Sequence, residues 1–207
     1  MLAVSLDGRL APAAGGAAQL GGRGDRRVLE EALAWADAVL IGARTLRLHG
    51  TTCLIRDPDL LEQRRAQERP EQPTALVVSR SGRFDPALPF FRQPLVRWLL
   101  CPAPLPQAPA GFAVLQRLQG RWEQDLEALA VAGLQRLVLL GGAELAATLL
   151  AQQQVDALQL TLCPQLLGGA HTWMPLNTVL SPSRWQLLEQ RPLEGNELVV
   201  HYRRLRD

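Results

Sequence analysis

Arg136-Leu137-Val138-Leu139-Leu140-Gly141-Gly142-Ala143-Glu144-Leu145-Ala146-Ala147-Thr148-Leu149-Leu150 is the stretch on which the fold turns. Residues 136–140 are a short apolar run after the helix stop Gly133, and the glycine pair leads at once into a strongly helical segment, so the order is strand, glycine turn, helix. Such a junction seats an anion. Glycine lets the backbone approach closely, and the first free N–H groups of the helix carry about half a positive charge between them. Glu144 in the first turn suits that dipole. A lone Gly-Gly turn does not distinguish a phosphate seat from a plain tight turn, so its meaning depends on the rest of the chain.

A second junction of the same outline lies upstream. Residues 39–41 are apolar and enter Gly42-Ala43-Arg44-Thr45-Leu46-Arg47, which ends near His49-Gly50-Thr51-Thr52; a second ligand-facing turn is expected there. Residues 2–11 alternate loosely and break at Asp7-Gly8, predicting a strand clipped at Met1, a turn and a short continuation. Residues 12–24, rich in Ala and Gly, predict a loop. Asp25 is then placed to cap a helix whose apolar face carries Val28, Leu29, Leu33 and Trp35.

Further along, residues 57–72 are polar with a short helical middle, and residues 74–78 form a β-rich run ending in Ser79-Arg80-Ser81-Gly82-Arg83. Residues 95–100 read as the next strand. The prolines at 102, 104, 106 and 109 give an extended connection with no room for a helix. Residues 124–133 are amphipathic, with Leu126, Leu129 and Ala130 on one side. After the central junction, residues 155–162 alternate, residues 165–169 bear a turn, and two strands at 185–190 and 197–203 join at Gly195-Asn196. Alternating α and β elements followed by strands predict one α/β domain over residues 1–207, on a mixed sheet whose antiparallel part is C-terminal.

Composition narrows the class. Of 207 residues 47% are hydrophobic and 20% charged, which supplies a sizeable core and excludes a disordered chain. The net charge of +2 is spread along the sequence, so nothing marks a nucleic-acid partner. Cys53, Cys101 and Cys163 are odd in number and widely spaced, against a disulfide scaffold or a zinc site, and they predict a reducing, cytoplasmic setting. No apolar run reaches the ~18 residues of a membrane helix. No metal site is expected.

Five stretches in order resemble one known family: Ser5-Leu6-Asp7-Gly8-Arg9-Leu10-Ala11; Ala36-Asp37-Ala38-Val39-Leu40-Ile41-Gly42-Ala43-Arg44-Thr45; Val77-Val78-Ser79; Leu139-Leu140-Gly141-Gly142-Ala143-Glu144-Leu145; and Val155-Asp156-Ala157-Leu158 through Pro164-Gln165-Leu166-Leu167-Gly168-Gly169. Together they are similar to the reductase domain of riboflavin biosynthesis, the dihydrofolate-reductase-like enzymes that act on a ribosylamino-pyrimidine phosphate. The likeness covers residues 2–170.

The resemblance implies a dihydrofolate-reductase-like three-layer α/β/α fold with a mixed, mainly parallel central sheet, NADPH as hydride donor, and a homodimer. On that reading Gly141, Gly142, Ala143, Glu144 and Leu145 cradle the cofactor phosphates, with Gly42 and Thr45 beside them. Ser79 stands near the adenosine 2′-phosphate, where Arg80 and Arg83 add charge. Ala3 and the Asp7-Gly8 turn line the nicotinamide end, and Arg56 takes the place of an arginine suited to the substrate's phosphate.

The substrate side departs from the family pattern. After Thr45 the family has an Asp-Asp-Pro run, but this chain has Leu48-His49-Gly50-Thr51, so an imidazole replaces the first carboxylate. Leu140 replaces a glutamate before the glycine pair, and Ala17-Ala18-Gln19 replaces a Ser-x-Trp of the early loop. Arg56, Ala17 and Leu140 are thus the candidate substrate contacts, and His49 and Asp7 the candidate catalytic side chains. His49 can change charge near neutral pH. No His-x-Glu with a later Pro-Cys-x-x-Cys occurs, so the zinc deaminase that often accompanies this reductase is not expected in this chain. The expected activity is NADPH-dependent reduction of 5-amino-6-(5-phosphoribosylamino)uracil or its diamino-pyrimidine precursor. The alternatives are a related reductase with another substrate and a non-catalytic nucleotide-binding protein.

Overall fold

The computed structural model describes residues 1–16, 20–105 and 107–206. Its contacts divide the chain into two compact units, Met1–Leu29 with Ala143–Asp207, and Glu30–Gly142. Each unit is built on its own hydrogen-bonded sheet.

The unit Glu30–Gly142 carries five parallel strands: β2 (Ala38–Gly42), β3 (Thr74–Val78), β4 (Arg97–Cys101), β5 (Val114–Arg117) and β6 (Leu137–Leu139), in the order β5-β4-β3-β2-β6. The central strands are continuous apolar runs because a parallel sheet is covered on both faces. Val39, Leu76, Val77, Leu99 and Leu100 are wholly buried. Helices α2 (Ala43–His49), α3 (Pro58–Ala66) and α4 (Trp122–Val131) belong to this unit. Phe84, Phe90, Phe91 and Phe112 form an edge-to-face cluster beneath the β3–β4 connection. The strand β5 escapes sequence reading: Val114-Leu115 gives way at once to Gln116-Arg117, too short for a period to show.

The helix α1 (Arg23–Trp35) ends in this unit, and its end is closed by two arginines. Arg64 of α3, 1% exposed, donates to the carbonyls of Pro70 at 2.7 Å, Leu33 at 3.2 Å, Ala34 at 2.9 Å and Ala36 at 2.7 Å. Arg69 also donates to the Ala34, Trp35 and Ala36 carbonyls and pairs with Asp37 at 2.9 Å. Four orphan carbonyls at a helix end need donors, and here they come from a stretch that reads as merely polar. Burial opposes ionisation of Asp37, but Arg136 and Arg69 hold its carboxyl below the ordinary value.

The unit of residues 1–29 and 143–207 carries β1 (Leu2–Ser5), β7 (Ala157–Cys163), β8 (Trp185–Leu193) and β9 (Glu197–Arg204), in the order β1-β7-β9-β8. β1 runs parallel to β7 and the other two pairs are antiparallel, as the alternation of these segments predicts. The β8–β9 hairpin turns at Gly195 and Asn196, both with positive φ, with a bulge between Leu187 and Glu189. Helix α5 (Ala143–Ala151) completes the unit. The expected mixed α/β architecture is therefore present as a parallel sheet and a sheet with an antiparallel C-terminal part.

Two local expectations are corrected. The helix expected to be capped by Asp25 starts two residues earlier, and the carboxylate that accepts its free N–H groups is Glu197 of β9, from Gly22 at 2.5 Å and Asp25 at 3.1 Å. Trp35 does not join the buried face, being 53% exposed, while Val28, Leu33 and Ala34 do. His49 is the last residue of α2, and Gly50, in the left-handed region, follows it as the cap.

Candidate functional site

The two glycine junctions picked out by the sequence are neighbours. β2 pairs with β6, Leu40 opposite Leu139, so both strands deliver their glycines to the same edge of the parallel sheet. Gly42 N–H donates to the Gly141 carbonyl at 3.3 Å, and a Cβ on Gly42 would stand 3.8 Å from that oxygen and 3.9 Å from Gly142 Cα. Gly141 and Gly142 have φ of +130° and +95°, conformations that side-chain-bearing residues rarely adopt. The methyl of Thr45, one turn into α2, faces Gly141: a Cβ there would lie 3.7 Å from it. Leu140 is held in the ladder by its N–H to the Leu40 carbonyl at 2.9 Å.

On the other side β2 pairs with β3, Gly42 opposite Val78, so Ser79 begins the next turn along. The carboxyl ends of β6, β2 and β3 thus place Gly141-Gly142, Gly42 with Thr45, and Ser79 in one row. Ligands of parallel sheets bind at this edge, because helix starts and loop N–H groups gather there. Ser79 is 3% exposed, and its hydroxyl accepts the Gly82 N–H at 3.1 Å, which fixes the 79–82 turn. Arg80 and Arg83 are exposed around it. Nearby, Arg47 donates to the Arg83 carbonyl at 2.7 Å and lies over the Phe84 ring. Beyond Gly142 the chain enters α5, with Ala143 and Leu145 half-buried and Glu144 exposed in the first turn.

In the same unit Arg56 is exposed and its backbone is anchored. The buried Glu30 of α1 accepts the N–H groups of Arg56 at 2.7 Å and Asp57 at 2.8 Å. Sequence reading passed over Glu30, because nothing in a helical glutamate announces a partner 26 residues on. His49 is exposed at the far end of α2, roughly 9 Å along the axis from the glycine end at 1.5 Å per residue.

Ala3 and Asp7 belong to the other unit. Ala3 of β1 stands opposite Thr161 of β7. The Asp7 carboxylate accepts from Ser5 Oγ at 2.5 Å, Leu167 N–H at 3.1 Å and Gly168 N–H at 2.8 Å, with Arg9 at 3.6 Å. The Ser5 hydroxyl and the loop N–H groups hold its carboxyl well below the usual carboxylate range. Asp7 therefore stays ionised and clasps the 165–168 loop. Ala17 lies outside the described residues. Among the described residues no cluster of His, Cys, Asp or Glu is arranged to hold a metal, and no helix is long and apolar enough to cross a membrane.

Residues missed by the sequence reading complete this unit's buried face. Glu197, Thr161 and Cys163 are buried beside Asp25. Burial raises the Asp25 carboxyl above its ordinary value; the Thr161 hydroxyl works against this and the Glu197 charge adds to it. Burial also pushes the Cys163 thiol up to about 11, with Glu197 and Asp25 adding to the shift, so it stays a neutral thiol.

The sequence model of the family described as RibD C-terminal domain matches residues 1–197. The 2,5-diamino-6-ribosylamino-4(3H)-pyrimidinone 5′-phosphate reductase of Methanothermobacter thermautotrophicus is 27% identical over 216 residues, spanning 97% of this chain and 94% of the relative. A pyrimidine reductase-like protein from Corynebacterium diphtheriae superimposes with a TM-score of 0.80 at 20% identity, over 100% of this chain and 90% of the other. A dihydrofolate reductase from Enterococcus faecalis, in complex with NADP(H), superimposes at 0.50 with 16% identity, over 99% and 94% of the two chains. These likenesses establish a dihydrofolate-reductase-like fold.

Proposed function

Because this chain belongs to the RibD C-terminal domain family, we propose that it is an NADPH-dependent pyrimidine reductase of riboflavin biosynthesis. Its substrate is 5-amino-6-(5-phosphoribosylamino)uracil, or the diamino-pyrimidine before it, whose ribose it reduces to the ribityl form. The observation that carries the reading is the row of turns at the carboxyl ends of β6, β2 and β3. The archaeal relative named for the same chemistry supports it.

The cradle fits a dinucleotide phosphate. The positive-φ backbone of Gly141 and Gly142 presents bare N–H groups, and a side chain at Gly141 would press on the Thr45 methyl. When bound, NADPH supplies the hydride. The chain's residues do the rest: Gly141 to Leu145 hold the phosphates, Thr45 walls the turn, and Arg80 and Arg83 beside the Ser79 turn favour a 2′-phosphate. Ala3 and the rigid Asp7-Gly8 turn flank the nicotinamide. Arg56, on a backbone fixed by Glu30, takes the substrate's phosphate as a planar fork. His49 and Leu140 replace carboxylates at the pyrimidine end, so they set which pyrimidine is accepted.

The test is oxidation of NADPH, followed by loss of its reduced-nicotinamide absorbance, with the phosphoribosylamino-pyrimidine as acceptor. Turnover with this acceptor is expected. Binding without turnover would favour a related reductase with another substrate, the reading that His49 in place of an aspartate supports. No binding would overturn the reductase reading in favour of a non-catalytic protein of the same fold.

The reading includes a homodimer in the cytoplasm. β8 is an edge strand nine residues long, with Leu187 and Leu188 44% and 47% exposed. An unpaired edge of that length, carrying an exposed leucine pair, is a template for another strand unless covered. Light scattering is expected to return twice the 22.7 kDa chain mass, and Leu188→Lys to shift the protein toward monomer; a wild-type monomer at assay concentration would refute the dimer.

A further inference from the structure

One face of the β1–β7 pair is small and polar, and two carboxyl groups lie against it, Glu197 buried and Asp25 half-buried. Paired residues of a parallel ladder project to the same side, so Ala3 with Thr161 and Ser5 with Cys163 form that face. Asp25 comes to it from the first turn of α1, and Glu197 from the start of β9. Both carboxyls rest against glycine: a Cβ on Gly21 would collide with Asp25 Oδ2, and one on Gly22 would stand 3.2 Å from Glu197 Oε1.

The two acids are not equivalent. Glu197 is committed, accepting the Gly22 N–H at 2.5 Å and the Asp25 N–H at 3.1 Å at the start of α1. Asp25 Oδ1 is buried without a hydrogen-bond partner, and the Thr161 hydroxyl, 0% exposed, has no partner except the Asp25 carboxyl beside it. Two carboxyls close together do not both ionise readily, and burial with the neighbouring Glu197 charge pushes the Asp25 carboxyl toward its protonated form. Elsewhere on the face, Cys163 stays a thiol, His201 lies two residues beyond Val199, and Arg191 of β8 is paired with Glu189. The half-exposed Ala3, opposite Thr161, is where this face opens.

We propose that Asp25 is the acid of the reductase, delivering the proton that the reduced substrate needs, with Glu197 and Thr161 as its positioning residues. This rests on the reductase reading, which puts the nicotinamide end at Ala3. In the step, hydride from the reduced nicotinamide forms a C–H bond at the C1′ carbon of the ring-opened sugar, held as an imine of the amino-pyrimidine. The C=N π pair moves to nitrogen, and that nitrogen takes the Asp25 proton. Asp25 is left as a carboxylate and regains a proton from solvent, while the nicotinamide leaves oxidised.

The experiment compares wild type, Asp25→Asn, Asp25→Glu and Glu197→Gln as full chains. Asp25→Asn is expected to bind NADPH as wild type does but to lower kcat by about 100-fold or more, the usual worth of a general acid. Asp25→Glu should recover part of the loss. An acid must be protonated to act, so wild-type kcat falls as pH rises through the Asp25 ionisation; Glu197→Gln keeps an accepting oxygen for the cap but removes the like charge, moving that fall to lower pH.

A readout without cofactor accompanies these. A carboxyl whose pKa is raised by folding stabilises the protein at low pH and loses that contribution as pH rises through the folded value. Wild type should therefore lose thermal stability relative to Asp25→Asn between acid and neutral pH. An active wild type whose Asp25→Asn variant keeps more than half its kcat, or whose pH profile ignores Glu197→Gln, overturns the assignment of Asp25 alone. A wild type inert toward NADPH overturns it together with the reductase reading.

Discussion

Gly142→Asp is expected to weaken NADPH binding by at least ~100-fold. Two unit charges about 4 Å apart repel by roughly 4 kcal/mol at the effective dielectric of a protein surface, and the new carboxylate would stand where the phosphates are read to sit. The φ of +95° adds strain of about 1–3 kcal/mol for any side chain. Gly142→Ala carries the strain without the charge, so it separates the two terms. Titration of NADPH against both variants is the measurement: alanine should keep most of the affinity and aspartate almost none. Equal losses would mean that the turn matters only as backbone.

The largest effect on stability is expected at Arg64. Arg64→Met keeps the length of the side chain but withdraws the donors from the Leu33 and Pro70 carbonyls, while Arg69 still serves Ala34 and Ala36. Orphaned carbonyls in a buried site cost about 3 kcal/mol together, which for a chain of this size lowers the melting temperature by roughly 6–12 °C. Burial lowers the Arg64 guanidinium to about 10, so it remains charged at neutral pH. Lysine should not restore the loss, because a point ammonium does not reproduce a planar fork spread over four carbonyls. Thermal unfolding of the three proteins checks it; a methionine variant as stable as wild type would show that water serves those carbonyls equally well.

What the sequence made legible follows from where the physics is local. A glycine forced into positive φ is written in the residue itself, and the runs Val39-Leu40-Ile41 and Leu76-Val77-Val78 are apolar because both faces of their sheet are covered. That is why both junctions and the central strands were visible, and why their order in the chain carried a family resemblance. The missed features are partnerships between distant residues. Glu197 closes the start of a helix whose Asp25 lies 172 residues earlier, and Arg64 reads as one charge among many until the carbonyls around it are seen. Trp35 misled for the complementary reason: helical spacing puts it on the apolar stripe, but as the last residue of α1 it stands 53% exposed while Leu33 and Ala34 just before it are buried.

The chain path also sets a timetable for synthesis. The unit Glu30–Gly142 is one uninterrupted length whose strands all pair within it, so a nascent chain can complete it while the remainder is still being made. The other unit must wait. β1 has β7 as its ladder partner, Leu2 against Leu160, and Gly22 meets the Glu197 carboxylate only after β9 has been synthesised. During translation the first strand and the start of α1 therefore stay unfinished until the final hairpin emerges.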